Sequence, residues 1–294
     1  QVRSIRAAAV ALALALSRAP ALAPIPALTS RAEALPPLPE PRPGTVPQAP
    51  PGHDIEAEFT IYLGGFLFAV GNFKANLEGD AYRLNTVMGT AGLPRAFYEA
   101  RFELSSEGRF DASRVRPHIY VSNSWEKKSS GRKVTLDYDA EGMPHLTAVP
   151  PDTAGDMPDV MPSQQIETQD PVSAAIVPVA GGTNPCNRSI PVFDGRRRYD
   201  LKLSYDSETK LTPHGFNAPL DVIACNIRYV PVAPIEKRKF TDMLRRNDSM
   251  KIWLAPFDGG RVYMPVRFQL RTPLGGAVME LTHLSERTAS AVPR

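Results

Sequence analysis

Residues 195–205 alternate between apolar and polar side chains, and this period of two is the feature that most restricts the folds open to the chain. The largely apolar side comprises Gly195, Arg197, Tyr199, Leu201, Leu203 and Tyr205. The polar side comprises Arg196, Arg198, Asp200, Lys202 and Ser204. Successive side chains of a strand point to opposite faces, so the pattern predicts a β-strand with one buried and one solvated face. Asp194-Gly195 predicts a turn or bulge at its start.

The same alternation recurs along the chain, for example over residues 55–63, 82–88 and 98–104, with Gly-Gly and Asp-Gly turns between the runs. Short turns between alternating runs are typical of antiparallel hairpins. About ten or eleven strands are predicted, with short helices at 170–177 and 234–247 and a long loop at 143–169.

The predicted fold class is therefore mainly β. We expect one large, strongly curved antiparallel sheet that forms a barrel or an open, spiral-like barrel with one or two short helices. Long sheets tend to close or half-close because free edges aggregate, and the interior of such a sheet can hold an apolar ligand.

Arg197 stands out because it falls in the apolar register of its run. A buried guanidinium needs a partner, since an unpaired buried charge is very costly. Asp194 and Asp200 are the near candidates. The alternative is that Arg197 lies near the end of the strand and extends its charged head into water.

The N-terminal residues resemble a secretory leader. Arg3 and Arg6 precede the apolar run 7–16, and small residues follow up to Ala23. This predicts a signal peptide over 1–23, the alternative being a disordered Ala-rich tail. A proline-rich linker is expected over 24–54, a β-rich domain over 55–284 and a flexible tail over 285–294. The expected location is the periplasm, with no transmembrane span because the apolar run is too short.

Removal of the leader would make the chain nearly neutral. The chain contains 34 basic and 31 acidic residues, and the first 21 residues include three arginines and no acid, so 31 of each sign would remain. Nothing in this charge balance favours a nucleic-acid partner.

Cys186 and Cys225 are the only cysteines. In a chain with export signals, two cysteines most simply form one disulfide. Two thiols without a CxxC spacing or a nearby histidine provide too few ligands for a metal, and they lack the spacing of a redox dithiol.

Five segments together resemble a known family. They are PC at 185–186, VFDGRRRYDL at 192–201, the Cys225 segment VIACNIRYVP, IWLAP at 252–256 and VYMPVRFQLRTPLGG at 262–276. The chain resembles, from about Ile55 to about Leu281, the bacterial family catalogued as domain of unknown function 3108. The marker motif consists of Val192, Phe193, Asp194, Gly195, Arg196, Arg197, Arg198, Tyr199, Asp200 and Leu201. The resemblance implies an exported, β-rich cell-envelope protein and supplies no catalytic residues.

No catalytic or nucleotide-binding motif is present: GxSxG, HExxH, GxGxxG and GxxxxGK[ST] are all missing from the sequence. No metal site or cofactor is expected. A non-enzymatic envelope protein that binds a lipid, a polysaccharide or another envelope protein is favoured. The alternative is a periplasmic hydrolase of glycan or peptide, because two carboxylates from separate strands leave no linear motif.

Overall fold

The computed structural model of the chain describes residues 52–127, 129–151, 160–181, 183–234 and 239–288. Its strands are β1 His53–Leu63, β2 Phe66–Glu78, β3 Ala81–Thr90, β4 Ala100–Phe110, β5 Val115–Glu126, β6 Ser129–Tyr138, β7 Pro144–Val149, β8 Val177–Pro178, β9 Arg188–Phe193, β10 Arg198–Leu211, β11 Leu220–Ala233, β12 Lys251–Phe257, β13 Val262–Thr272 and β14 Gly275–Thr288. The helices are α1 Pro162–Gln165 and α2 Lys239–Arg246.

The strands form a single antiparallel sheet in the order β7-β6-β5-β4-β3-β2-β1-β14-β13-β12-β11-β10-β9, and β8 pairs with β13. The pairing of β1 with β14 joins the two ends of the described domain, from His53 opposite Thr288 to Leu63 opposite Ala277. Within the described residues β7 and β9 do not pair, so the sheet is curved but open. The prediction of a mainly β fold, either a barrel or an open, spiral-like barrel with one or two short helices, is confirmed, and the structure takes the open form with two helices.

The curvature places one face of the sheet inside. On β1, Ile55 and Ala57 are buried, whereas Glu56 and Glu58 face outward. On β3, Tyr82 and Leu84 are buried in the same alternation. Each strand thus contributes every second side chain to a shared apolar interior, as the period of two requires.

The predicted strand over 195–205 is wrong at its N-terminal end. β10 begins at Arg198, which pairs with Phe193 of β9, and residues 194–197 form the connecting turn. Because Asp194 and Gly195 turn the chain, Arg197 lies in no strand register. Tyr205, predicted on the buried face, is 43% exposed because the pairing with β9 ends at Leu203.

Four other local predictions need correction. The predicted loop 143–169 contains β7 and α1, and the predicted helix 170–177 is only a 3-10 turn at Ser173–Ala175 followed by β8. The second helix was placed correctly but is shorter than 234–247. The predicted tail overlaps β14, which continues to Thr288 because its ladder with β1 extends that far.

The predicted signal peptide and most of the proline-rich linker lie outside the described residues. The last linker residues, His53 and Asp54, belong to β1.

Candidate functional site

The inner face of the curved sheet forms a partly open, apolar cavity of about 320 Å³. Its wall is formed by inward side chains of strands from both halves of the sheet, and residues 171–175 and α2 complete it. Representative lining residues are Ala57, Phe59, Phe73, Met88, Tyr199, Leu201, Tyr229, Ile252, Met264, Phe268 and Leu281. Concave, mostly apolar cavities of this kind are the usual form of a small-molecule site.

Two charged residues of the VFDGRRRYDL motif line this cavity, Asp194 and Arg197. Both lie in the turn between β9 and β10. The Asp194 carboxylate is buried, and its Oδ1 accepts hydrogen bonds from the backbone N–H of Arg196 (2.9 Å) and of Arg197 (2.6 Å). Asp194 therefore shapes the turn that carries Arg197 to the cavity.

Gly195 brings this turn against the opposite edge of the sheet. Its φ is +86°, and a Cβ built there would lie 2.9 Å from Cγ1 of Val134 and 3.2 Å from Cδ1 of Leu146. Val134 belongs to β6 and Leu146 to β7, so the turn packs on the strands that β9 does not reach by hydrogen bonding. Close packing at Gly195 thus closes the gap between the two edges of the sheet.

Residues 164–170 cover the edge strand β9. The backbone N–H of Gln169 donates to the carbonyl of Pro191, and the N–H of Phe193 donates to the carbonyl of Gln169. The Arg198 guanidinium donates from Nε to the carbonyl of Gln164 (2.9 Å). These bonds protect an edge that would otherwise present free backbone groups.

The ion pair within this arginine run is formed by Arg198 and not by Arg197. The Arg198 guanidinium lies 2.6 Å from the Asp200 carboxylate, and the two side chains are 13% and 22% exposed. Arg197 forms no ion pair and no side-chain hydrogen bond within the described residues. The ion-pair interpretation, with Asp194 or Asp200 as the partner of Arg197, is wrong, because Asp194 accepts bonds from the turn amides and Asp200 pairs with Arg198. The other interpretation, that Arg197 lies near the end of the strand, agrees with its position one residue before β10.

Tyr199 lies beside the two charged groups and packs against Tyr229 of β11, with ring centroids 4.9 Å apart. Burial raises the pKa of Tyr199 well above its ordinary value, and the Asp194 carboxylate adds to this, whereas the Arg197 charge opposes it. The Tyr199 hydroxyl therefore remains protonated and can donate a hydrogen bond.

A second polar group, centred on Asp170, is sealed inside the sheet. Oδ1 of Asp170 accepts from the backbone N–H of Val172 and Ser173, and its Oδ2 accepts from the Ser106 hydroxyl at 2.7 Å. The Ser106 and Tyr82 hydroxyls are 3.3 Å apart. Burial raises the pKa of Asp170, and the hydrogen bonds from Ser106 and Ser173 oppose that shift. Asp170 is the first residue of the predicted helix 170–177, and its bonds to two backbone N–H groups are those of a helix cap.

Sequence reasoning missed this buried network. One signal was available: Ser106 occupies the buried register of β4 between Leu104 and Phe110. A polar residue in such a register needs a partner inside the protein. The partner could not be identified, since Asp170 lies 64 residues away.

Cys186 and Cys225 form a disulfide with their Cα atoms 5.8 Å apart. Cys186 immediately precedes the edge strand β9, and Cys225 lies on β11, so the bond links the edge to the strand beyond β10. Both cysteines pack in a buried apolar cluster with Ile190, Leu203 and Leu254. The predicted disulfide is confirmed.

Neither helix of the described domain is long and apolar enough to cross a membrane. Across the same residues, no group of three His, Cys, Asp or Glu side chains is arranged to hold a metal ion.

Comparisons with known proteins identify the family and two structural relatives. A family model described as protein of unknown function DUF3108 matches residues 58–282. No curated protein matches the chain. A β-barrel-like protein of the domain of unknown function DUF1849 from Brucella abortus is similar at 9% identity with a TM-score of 0.46, over 82% of this chain and 99% of that chain. A candidate lipoprotein from Parabacteroides distasonis has 9% identity and a TM-score of 0.32, over 81% of this chain and 97% of that chain.

Proposed function

The chain belongs to the DUF3108 family of proteins of unknown function, and we propose that it is a non-enzymatic, exported cell-envelope protein that binds a lipid in its cavity. The apolar cavity formed by the curved sheet is the observation that carries this proposal. Among the three partner classes favoured by the sequence, a lipid matches an apolar wall best. A polysaccharide would need many polar partners, since its hydroxyls lose water on binding.

The proposed location in the periplasm rests on the leader-like N-terminus together with the disulfide. Structural disulfides persist in oxidising compartments and are rare in the cytosol. Cell fractionation tests this part of the proposal, because most of the protein should be released with the periplasmic contents. Retention in the cytoplasm, or firm attachment to a membrane, would contradict it.

The alternative, a glycan or peptide hydrolase, would be favoured by two carboxylates in a polar cleft. Among the described residues that line the cavity, the acidic side chain is Asp194. Its Oδ1 is already bound to two backbone amides of the turn. The geometry therefore favours binding over hydrolysis.

The first experiment is mass spectrometry of the protein purified from native envelope without detergent. Lipid that copurifies at a fixed ratio to protein supports the proposal. Binding can also be followed with the neutral apolar dye N-phenyl-1-naphthylamine, whose fluorescence rises in an apolar site.

Two glycine substitutions make a matched pair for that binding assay. Gly71 of β2 lines the cavity, and a Cβ there would make only ordinary contacts with Val87 and Met88. Gly89 of β3 follows Met88, so its side chain would point to the outer face, and a Cβ there meets the Ala100 carbonyl oxygen at 3.7 Å.

Gly71→Leu should lower dye binding by filling the cavity, whereas Gly89→Leu should leave dye binding unchanged. Equal dye binding by both variants and the unaltered protein would place the dye outside the cavity and contradict the proposal. Circular dichroism of both variants controls for folding.

A further inference from the structure

Among the described residues that line the cavity, Arg197 carries the positive charge, and its hydrogen-bonding needs point to a ligand. It carries five N–H donors and no acceptor. Within the described residues it has no ion pair and no side-chain hydrogen bond. None of its nitrogens is both fully buried and unpartnered, and Arg197 is one of the residues that line the cavity.

The neighbouring Asp194 does not satisfy these donors. Its carboxylate lies beyond ion-pair distance of the guanidinium, and Oδ1 is bound to the backbone amides of Arg196 and Arg197. The Asp194 carboxylate therefore stabilises the turn, and the Arg197 guanidinium can bind an acceptor on a ligand. Guanidinium groups bind carboxylate and phosphate oxygens through paired hydrogen bonds.

Tyr199 supplies a second donor at the same place. Tyr199 lies two residues after Arg197 and also lines the cavity, and its protonated hydroxyl can donate a hydrogen bond. An anionic ligand in the cavity would therefore find a cation and a hydroxyl among apolar side chains.

The size of the cavity limits the apolar part of a ligand. A volume of about 320 Å³ lies at the small end of the range of about 300–1,000 Å³ for ligand sites. One alkyl chain suits this volume better than the two chains of a phospholipid.

We propose that the cavity binds a single-chain amphiphile with an anionic head, a carboxylate or a phosphate ester, and that Arg197 binds this head while the alkyl chain fills the apolar interior. This inference rests on the proposed lipid-binding function. Beyond that function, the inference specifies the class of lipid and names Arg197 as the residue that selects it.

The test compares three ligands with the same twelve-carbon chain: dodecanoate, dodecyl phosphate and neutral dodecanol. Each displaces N-phenyl-1-naphthylamine from the full-length protein at a pH where both anions are ionised. The unaltered protein should bind the two anions about tenfold more tightly than the alcohol, the size of effect expected for a charge-assisted hydrogen bond. Arg197→Gln should lose this preference and retain the affinity for dodecanol. Arg197→Lys should keep most of the preference.

Arg228 provides a matched charge control because it is exposed on β11, away from the cavity. Arg228→Gln should bind all three ligands as the unaltered protein does. An anion preference that persists in Arg197→Gln, or that is absent from the unaltered protein, would overturn the role of Arg197. Loss of the preference in excess inorganic phosphate would assign the site to free anions and also overturn the proposal.

A different result would contradict the proposed lipid-binding function itself. In that case neither dodecanol nor the dye would bind, and Gly71→Leu would change nothing. If dodecanol still binds but the anion preference is absent, the proposed head group is wrong while the lipid-binding function stands.

Discussion

Gly195, in the turn after β9, packs against Val134 of β6 so closely that an added Cβ would lie 2.9 Å from Cγ1 of Val134. This contact joins the two edges of the sheet, which share no ladder within the described residues. Gly195→Ala should therefore lower the free energy of unfolding by about 1–3 kcal/mol, because the φ of +86° strains any L-residue and the methyl group meets Val134.

Urea denaturation followed by tryptophan fluorescence measures that loss. Gly215→Ala is the matched control, since Gly215 has a φ of +87° with nothing within 4 Å of its added Cβ. A similar loss in both variants would attribute the effect to backbone conformation alone and would contradict the closing role of the Gly195–Val134 contact.

Reduction of the disulfide should destabilise the half of the sheet that ends in β9. Cys186 and Cys225 are separated by 39 residues, and a loop of that size corresponds to about 4 kcal/mol in the chain-entropy treatment. Urea unfolding with and without reductant measures the difference, and Cys186→Ser with Cys225→Ser should reproduce the reduced state. Thiol labelling of the denatured, non-reduced protein should find no free thiol. Two free thiols in protein freshly isolated from the periplasm would contradict the bond.

The consecutive residues Arg197 and Arg198 should differ sharply in their contribution to stability. Arg198→Ala should cost about 1–3 kcal/mol, between the values for exposed and buried pairs, because it leaves the half-buried Asp200 carboxylate unpaired and removes the bond to Gln164. Arg197→Ala should change stability by no more than about 0.5 kcal/mol, because its side chain has no partner to lose among the described residues.

Thermal unfolding of the two single variants measures which substitution lowers the stability more. A larger cost at Arg197 than at Arg198 would show that Arg197 holds the fold together, and it would weaken the assignment of Arg197 to a ligand.

The buried Asp170 carboxyl should make the protein less stable as the pH rises. Its pKa is raised above the ordinary value of 3.8 in the folded state by burial, so the folded protein holds this proton more tightly than the unfolded chain does. The stabilisation is full below pH 3.8 and is lost as the pH rises through the raised pKa.

Asp170→Asn removes this titration while its amide oxygen can still accept the bonds from Val172 and Ser173. The difference in unfolding free energy between Asp170→Asn and the unaltered protein should therefore shift in favour of the variant as the pH increases. Urea unfolding from acidic to neutral pH measures it. A difference that stays constant over this range would show that folding does not raise the pKa of Asp170.

Local patterns in the sequence determined the strands, the turns and the disulfide. The alternation at residues 55–63 predicts that Ile55 and Ala57 share the buried face, because successive side chains of any strand point to opposite faces. The pairing of Cys186 with Cys225 followed from the cysteine count and the export signals. These features depend on residues close in sequence or on simple counting, and they sufficed to predict a curved antiparallel sheet.

Contacts between distant residues decided the site. The sequence pattern predicted Arg197 within a strand. The bonds that Asp194 accepts from the turn amides and the packing of Gly195 on Val134 place Arg197 at the cavity instead. The Asp170–Ser106 bond joins residues 64 positions apart. The two edges of the open barrel are held together by side-chain packing of the turn after β9 on β6 and β7. A local sequence pattern cannot predict these contacts, because their stabilising energy exists only once the sheet has curved and brought the distant side chains together.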